Sequence, residues 1–136
     1  MKKVLITGGT SGIGLATLEK LVLNYEVIFT YCSDETKALK LEEKYNIKGY
    51  RLDLNDKNSI EELVSKLDNN DILINNAGIA LDNDFNLKTY EEFSKVVNTN
   101  LTGTYYLTKL LVKKINSGGE IIFVSSTNGV DTPYIE

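Results

Sequence analysis

The sequence predicts an α/β fold of three layers, in which a doubly wound parallel sheet lies between two layers of helices, and three observations predict it. Short apolar runs bounded by Gly, Asn, Asp or Ser recur along the chain. Segments with apolar residues at helical spacing separate those runs. A glycine-rich turn joins the first run to the first helical segment. Strand and helix in alternation require a crossover after every strand, and right-handed crossovers set parallel strands side by side with helices above and below.

The first run, Val4-Leu5-Ile6, has no polar residue with which to make a wet face, so it reads as a strand covered on both sides. Val27–Phe29, Gly49–Leu52, Ile72–Ile74 and Ile121–Val124 read the same way. Leu15, Leu18 and Val22 share one helix face, and Ala38, Leu41 and Tyr45 share another. Ile60, Leu63, Val64 and Leu67 form a third stripe, opened by a capping box of Ser59 and Glu62. A long helix is predicted after Thr89, whose hydroxyl caps the turn while Glu92 reaches back. Its stripe runs through Phe93, Val96, Val97, Asn100, Leu101, Tyr105, Thr108, Val112 and Ile115. The string of elements predicts strand order 3-2-1-4-5, with a ligand crevice at the carboxyl ends of strands 1 and 4, where the winding reverses.

Composition bounds the function. The chain has 136 residues, which fits one domain over 1–136, and its 42% hydrophobic and 25% charged residues suit a folded globular unit rather than a disordered one. A net charge of −4 supplies no basic stripe, which argues against a nucleic-acid partner. The apolar run behind Met1-Lys2-Lys3 is too short for a signal peptide or a membrane span, so the expected location is cytoplasmic, with no membrane partner. With no histidine and Cys32 as the single cysteine, no metal site is expected and zinc chemistry is excluded.

The strongest local signal is Thr7-Gly8-Gly9-Thr10-Ser11-Gly12-Ile13-Gly14, set between the first strand and the first helix. Gly8 allows a tight turn out of the strand, Gly12 lets backbone approach a pyrophosphate, and Gly14 lets helix and strand pack closely. Thr10, Ser11 and Ile13 complete the cradle, and the helix behind it presents unpaired N–H groups and a positive dipole end. A nucleoside-triphosphate loop needs Lys and then Ser or Thr after such a turn, whereas Leu15 and Ala16 follow here. The turn therefore predicts a dinucleotide site in a Rossmann-type domain.

The spacing T-G-x-x-x-G-x-G resembles that of the short-chain dehydrogenase/reductase family, and further motifs extend the resemblance in the same order over nearly the whole chain. Asp53 and Leu54, just after strand 3, resemble the segment that contacts the adenine ring. Asn76, Ala77 and Gly78, in Asn75-Asn76-Ala77-Gly78, resemble the motif that supports the sheet and lines the ribose site. Asn100, in Asn100-Leu101-Thr102-Gly103, resembles the active-site asparagine. Ser126, closing Ile122-Phe123-Val124-Ser125-Ser126, resembles the active-site serine. Within the family the chain is most similar to the 3-oxoacyl-carrier-protein reductases.

The resemblance implies an NAD(P)-dependent oxidoreductase that moves a hydride between nicotinamide and a small-molecule carbonyl or alcohol. Ser126 would hold the carbonyl and Asn100 would anchor a proton-relay water. In the family a tyrosine donates the proton, and a lysine in Tyr-x-x-x-Lys lowers its pKa. Here no such motif follows Ser126: Tyr134 stands too close to it, and the matching lysine would fall beyond Glu136. The expectation is a sheet incomplete at its C-terminal side and a chain that binds cofactor without efficient turnover. The alternative is a non-catalytic dinucleotide-binding fragment or interaction module. At the corner after strand 2, Tyr31-Cys32-Ser33 lacks the acidic residue of an NAD site, and Asp34 falls later, opening the next helix. Ser33 and Lys37 are the candidates to receive a 2′-phosphate, so NADP(H) is favoured over NAD(H). The Thr89 helix, implied as an oligomer interface, leads to an expected homo-oligomer.

Overall fold

The computed structural model describes residues 1–127, so Tyr134 lies outside the described residues. The elements are β1 (Lys3–Ile6), α1 (Gly12–Leu21), β2 (Glu26–Tyr31), α2 (Glu35–Tyr45), β3 (Lys48–Arg51), α3 (Lys57–Lys66), β4 (Asn70–Asn75), α4 (Tyr90–Val97), α5 (Thr104–Leu111) and β5 (Ile115–Phe123). A π turn, Asn98–Gly103, joins α4 to α5, and a 3₁₀ turn, Val112–Lys114, leads into β5. All neighbouring strands pair in parallel, in the order β3-β2-β1-β4-β5 that the sequence predicts.

Alternation along the central strands divides the core in two. Val4, Ile6, Val27, Phe29, Ile72 and Ile74 face one side, where Leu18 of α1 and Ala38 and Leu41 of α2 cover them. Leu5 and Leu73 face the other, against Ile60, Leu63 and Leu67 around α3 and Leu107 and Leu111 of α5. The register sets Leu5 beside both Ile28 and Leu73, so β1 is the central rib of the sheet.

Most helix ends follow from local chemistry. The Asp34 side chain accepts from the Lys37 N–H and caps α2, as the sequence predicts. Thr89 and Glu92 form the predicted capping box of α4, at 3.1 and 2.9 Å. The box proposed for α3 is not formed. Asp56 caps that helix instead, accepting from the Asn58 N–H, because Ser59 lies inside the first turn and its Oγ accepts from the Asp53 N–H at 2.9 Å.

Three further sequence expectations need correction. The expected stripe of the long helix is not the buried one: Thr99, Gly103, Leu107 and Leu111 are buried, whereas Phe93, Leu101, Tyr105 and Val112 are exposed. A side chain on Gly103 would sit 1.9 Å from the Leu54 carbonyl oxygen, so the π turn approaches the β3–α3 loop through a residue without a side chain. Ile115 does not end that helix but begins β5, pairing with Asn70 before Asn116–Gly119 bulge out and Glu120 resumes pairing at Ile72. Finally, β3 and β5 are edge strands of mixed exposure rather than strands buried on both faces.

Candidate functional site

The loops after β1 and β4 meet where the winding of the sheet reverses, and a small set of hydrogen bonds locks them together. Buried Thr7 accepts on its Oγ1 from the backbone N–H groups of Asn76 and Ala77, both at 3.0 Å. Asn76 answers with its Nδ2, donating to the carbonyls of Thr7 at 2.9 Å and Gly8 at 3.2 Å. On the other side, the Gly8 N–H donates to Thr30 Oγ1 and the Gly9 N–H to the Thr30 carbonyl, which ties the turn to the end of β2.

Two glycines show what the turn requires. A Cβ on Gly14 would lie 2.0 Å from the Gly8 carbonyl oxygen and 2.4 Å from Asn76 Nδ2, so only glycine lets α1 start this close to the strand. Gly12 adopts φ +50° with nothing within 4 Å of its absent Cβ, which leaves bare backbone facing open space. Ser11, at the start of α1, makes no side-chain cap, in contrast to Asp34, Asp56 and Thr89 on the later helices. The first-turn N–H groups of α1 are thus left for an anion.

Around this turn lies a crevice of about 710 Å³, a volume suited to an organic cofactor. Gly8, Thr10, Ser11, Gly12, Ile13 and Gly14 line it from the glycine turn, and Tyr31, Cys32 and Ser33 from the end of β2. Asp53 and Leu54 line it from the β3–α3 loop, and Asn76, Ala77 and Gly78 from the loop after β4. Of the cofactor positions chosen from the sequence, all but Lys37 lie on this one surface. Thr30, Asp34, Leu52, Ile79, Lys95 and Thr99 complete the wall and were not chosen. Lys37, expected beside the 2′-phosphate, is half-buried in α2 and is not part of the lining. Asp53 is held in place by its own loop, Oδ1 accepting from the Asn55 N–H at 2.9 Å.

The two residues chosen for catalysis are not brought to that wall. Asn100, in the π turn, uses both ends of its amide on the backbone of Ile79: Oδ1 accepts from the Ile79 N–H and Nδ2 donates to the Ile79 carbonyl, both at 2.8 Å. It lines a second cavity of about 480 Å³ with Leu101, Thr104, Tyr105, Thr108, Val112 and Phe123 among its neighbours. Ser126 follows the end of β5, is exposed, and lines neither cavity. The supporting role of Thr7 and Thr30 had a partial signal, since Thr7 opens the glycine motif. Lys95 had none, because it belongs to no motif.

Comparison with known proteins gives a consistent picture. A model of the short chain dehydrogenase family matches residues 2–135. The chain is 33% identical over 132 residues to the acetoacetyl-CoA reductase of Rhizobium meliloti, covering 92% of this chain and 55% of that protein. It is 36% identical over 136 residues to the 3-oxoacyl-[acyl-carrier-protein] reductase FabG of Haemophilus influenzae, covering 94% and 56%. The chain thus spans about half the length of the curated relatives it matches. Among solved structures, that of BdcA in complex with NADPH superimposes with a TM-score of 0.91 at 28% identity, over 98% of this chain and 55% of that one.

Proposed function

The chain belongs to the short chain dehydrogenase family, and from that premise we propose that its crevice holds the nicotinamide dinucleotide of an NAD(P)-dependent oxidoreductase acting on a carbonyl/alcohol pair. The observation that carries this reading is the convergence of the glycine turn, the β2 corner, Asp53 and Asn76 on one cavity. The bare backbone at Gly12 and the uncapped start of α1 fit a pyrophosphate; Asp53 and Leu54, which line the same crevice, would flank the adenine. When bound, the nicotinamide supplies the hydride.

The chain's own residues do the holding. Thr7 and Asn76 fix the two loops that would grip the nucleotide, and Asn100 holds Ile79, one residue beyond Gly78, against the π turn. Since both ends of the Asn100 amide are committed, its side chain acts as a positioning group for that wall. Ser126 is the candidate to hold the substrate carbonyl. Similarity to the acetoacetyl-CoA and 3-oxoacyl-carrier-protein reductases supports a 3-oxoacyl thioester as substrate class.

The preferred cofactor in this reading is NADP(H). Tyr31-Cys32-Ser33 puts no carboxylate at the end of β2, and the Asp34 carboxylate is engaged in capping α2. A homo-oligomer is proposed through the exposed apolar side of α4 and α5. No helix among the described residues is long and apolar enough to cross a membrane. The location proposed with this reading is the cytoplasm, as for a reductase of small-molecule carbonyls.

Titrating the chain with NADPH and NADH while following nicotinamide fluorescence tests the proposal. Saturable enhancement is expected, with NADPH the tighter ligand. No binding at millimolar cofactor would end the oxidoreductase reading. A second reading, a dinucleotide-binding module without catalysis, is favoured by the position of Ser126 away from the crevice. Saturable binding without turnover fits both readings, and turnover on a 3-oxoacyl thioester would exclude the second.

A further inference from the structure

A dinucleotide is a polyanion, so the charges on the crevice wall decide how it is received. Two carboxylates, Asp34 and Asp53, line the cavity, and the chain carries a net charge of −4. Against them stands one basic side chain, Lys95 of α4. It comes from the helix that runs on into α5, on the opposite side of the sheet from α1 and the glycine turn. The Asn100–Ile79 pair fixes that helix to the crevice wall little more than one turn further on. Among the described residues no ion pair or hydrogen bond engages the Lys95 side chain. Of the two acids one turn behind it, Glu91 and Glu92, the second is spent on the capping box with Thr89.

We propose that Lys95 is the crevice's receptor for cofactor phosphate, the cation that offsets Asp34 and Asp53 and closes on the ligand from the side opposite the glycine turn. An ammonium on a flexible stem suits this task, because it acts as a mobile point charge on phosphate while the backbone cradle supplies the geometry. A half-open cleft lined mostly by neutral groups strengthens such a charge relative to the bare surface, and salt weakens it. The proposal rests on the dinucleotide reading of the crevice.

The test compares the chain with its Lys95→Gln and Lys95→Arg variants, with Lys113→Gln as a control that changes net charge equally from the exposed 3₁₀ turn before β5. NADPH and NADH affinities are measured by nicotinamide fluorescence and by calorimetry at low and high potassium chloride, and circular dichroism melts establish that the variants fold alike. Lys95→Gln is expected to weaken both ligands about five- to tenfold at low salt, the scale of one charge-assisted contact, and to flatten the salt dependence. Lys95→Arg and Lys113→Gln should bind as the parent does. If the parent binds and Lys95→Gln binds equally well with the same salt slope, or if Lys95→Arg fails as badly as Lys95→Gln, the role of Lys95 is overturned while the dinucleotide reading stands. If the parent binds neither nucleotide, both fall.

Discussion

Gly12 and Gly14 stand two residues apart, yet they answer to different constraints, and substitution separates them. In Gly14→Ala the new methyl group meets the Gly8 carbonyl oxygen at 2.0 Å and the Asn76 side-chain amide at 2.4 Å. Relief requires moving α1 off the strand, so a stability loss of about 3 kcal/mol is expected, read as a fall in the urea midpoint. In Gly12→Ala the methyl group enters empty space, and the cost is about 1–2 kcal/mol of left-handed backbone strain at φ +50°. That variant should fold and still lose affinity for NADPH, because the methyl occupies room that the cofactor needs. A Gly12→Ala chain that binds as tightly as the parent would remove Gly12 from the cradle. These positions were readable in the sequence because they demand one residue type at fixed spacing. The lattice of Thr7, Thr30 and Asn76 behind them was not, since its partners are far apart in the chain and are neighbours only once the sheet has formed.

Among the elements, β4 carries a carboxylate near its start that straps it to its neighbours. Asp71 accepts from Asn116 Nδ2 at 2.9 Å and from the Lys3 N–H at 2.7 Å, joining β4 to both of its neighbours. The Asn116 amide and then the Lys3 N–H hold its carboxyl below the usual carboxylate range. Folding therefore favours the ionised form. The stability it contributes is fully present above the ordinary carboxylate pKa and is lost as pH falls through the lowered value. Urea midpoints measured from neutral to acid pH should fall more steeply for the parent than for Asp71→Asn; identical slopes would count against the strap. Thr89→Ala, which breaks the capping box of α4, should cost about 1 kcal/mol in the same assay. The caps at Asp34 and Thr89 were legible because capping is a local code. The packed side of the π turn between α4 and α5 was not, because Thr99 and Gly103 are buried there, and small residues carry no hydrophobic signature. The start of β5 was hidden for a related reason: Asn116-Ser117-Gly118-Gly119 spells a turn, and the strand passes through it as a bulge.

At the scale of the whole molecule, two cores back to back account for most of the chain's buried apolar residues, while Leu101 and Tyr105 remain 67% and 60% exposed along the outer side of the helix. Exposed apolar side chains grouped around one cavity favour association. Leu101→Glu is expected to shift sedimentation from dimer or larger to monomer with no change in the melting of the isolated fold. A parent chain that sediments as a monomer at high concentration would place the association elsewhere. The π turn at Asn98–Gly103 connects this outer side to everything else. An α-helix advances about 100° per residue, and a π turn absorbs one residue more than an α turn. That surplus residue sets the angular phase between the wall of the nucleotide cavity and the leucines of the second core. Excising it would rotate one against the other by roughly a quarter of a circle, so either Lys95 leaves the cavity or Leu107 and Leu111 leave the interior. Chain length at this point is therefore a tuned quantity.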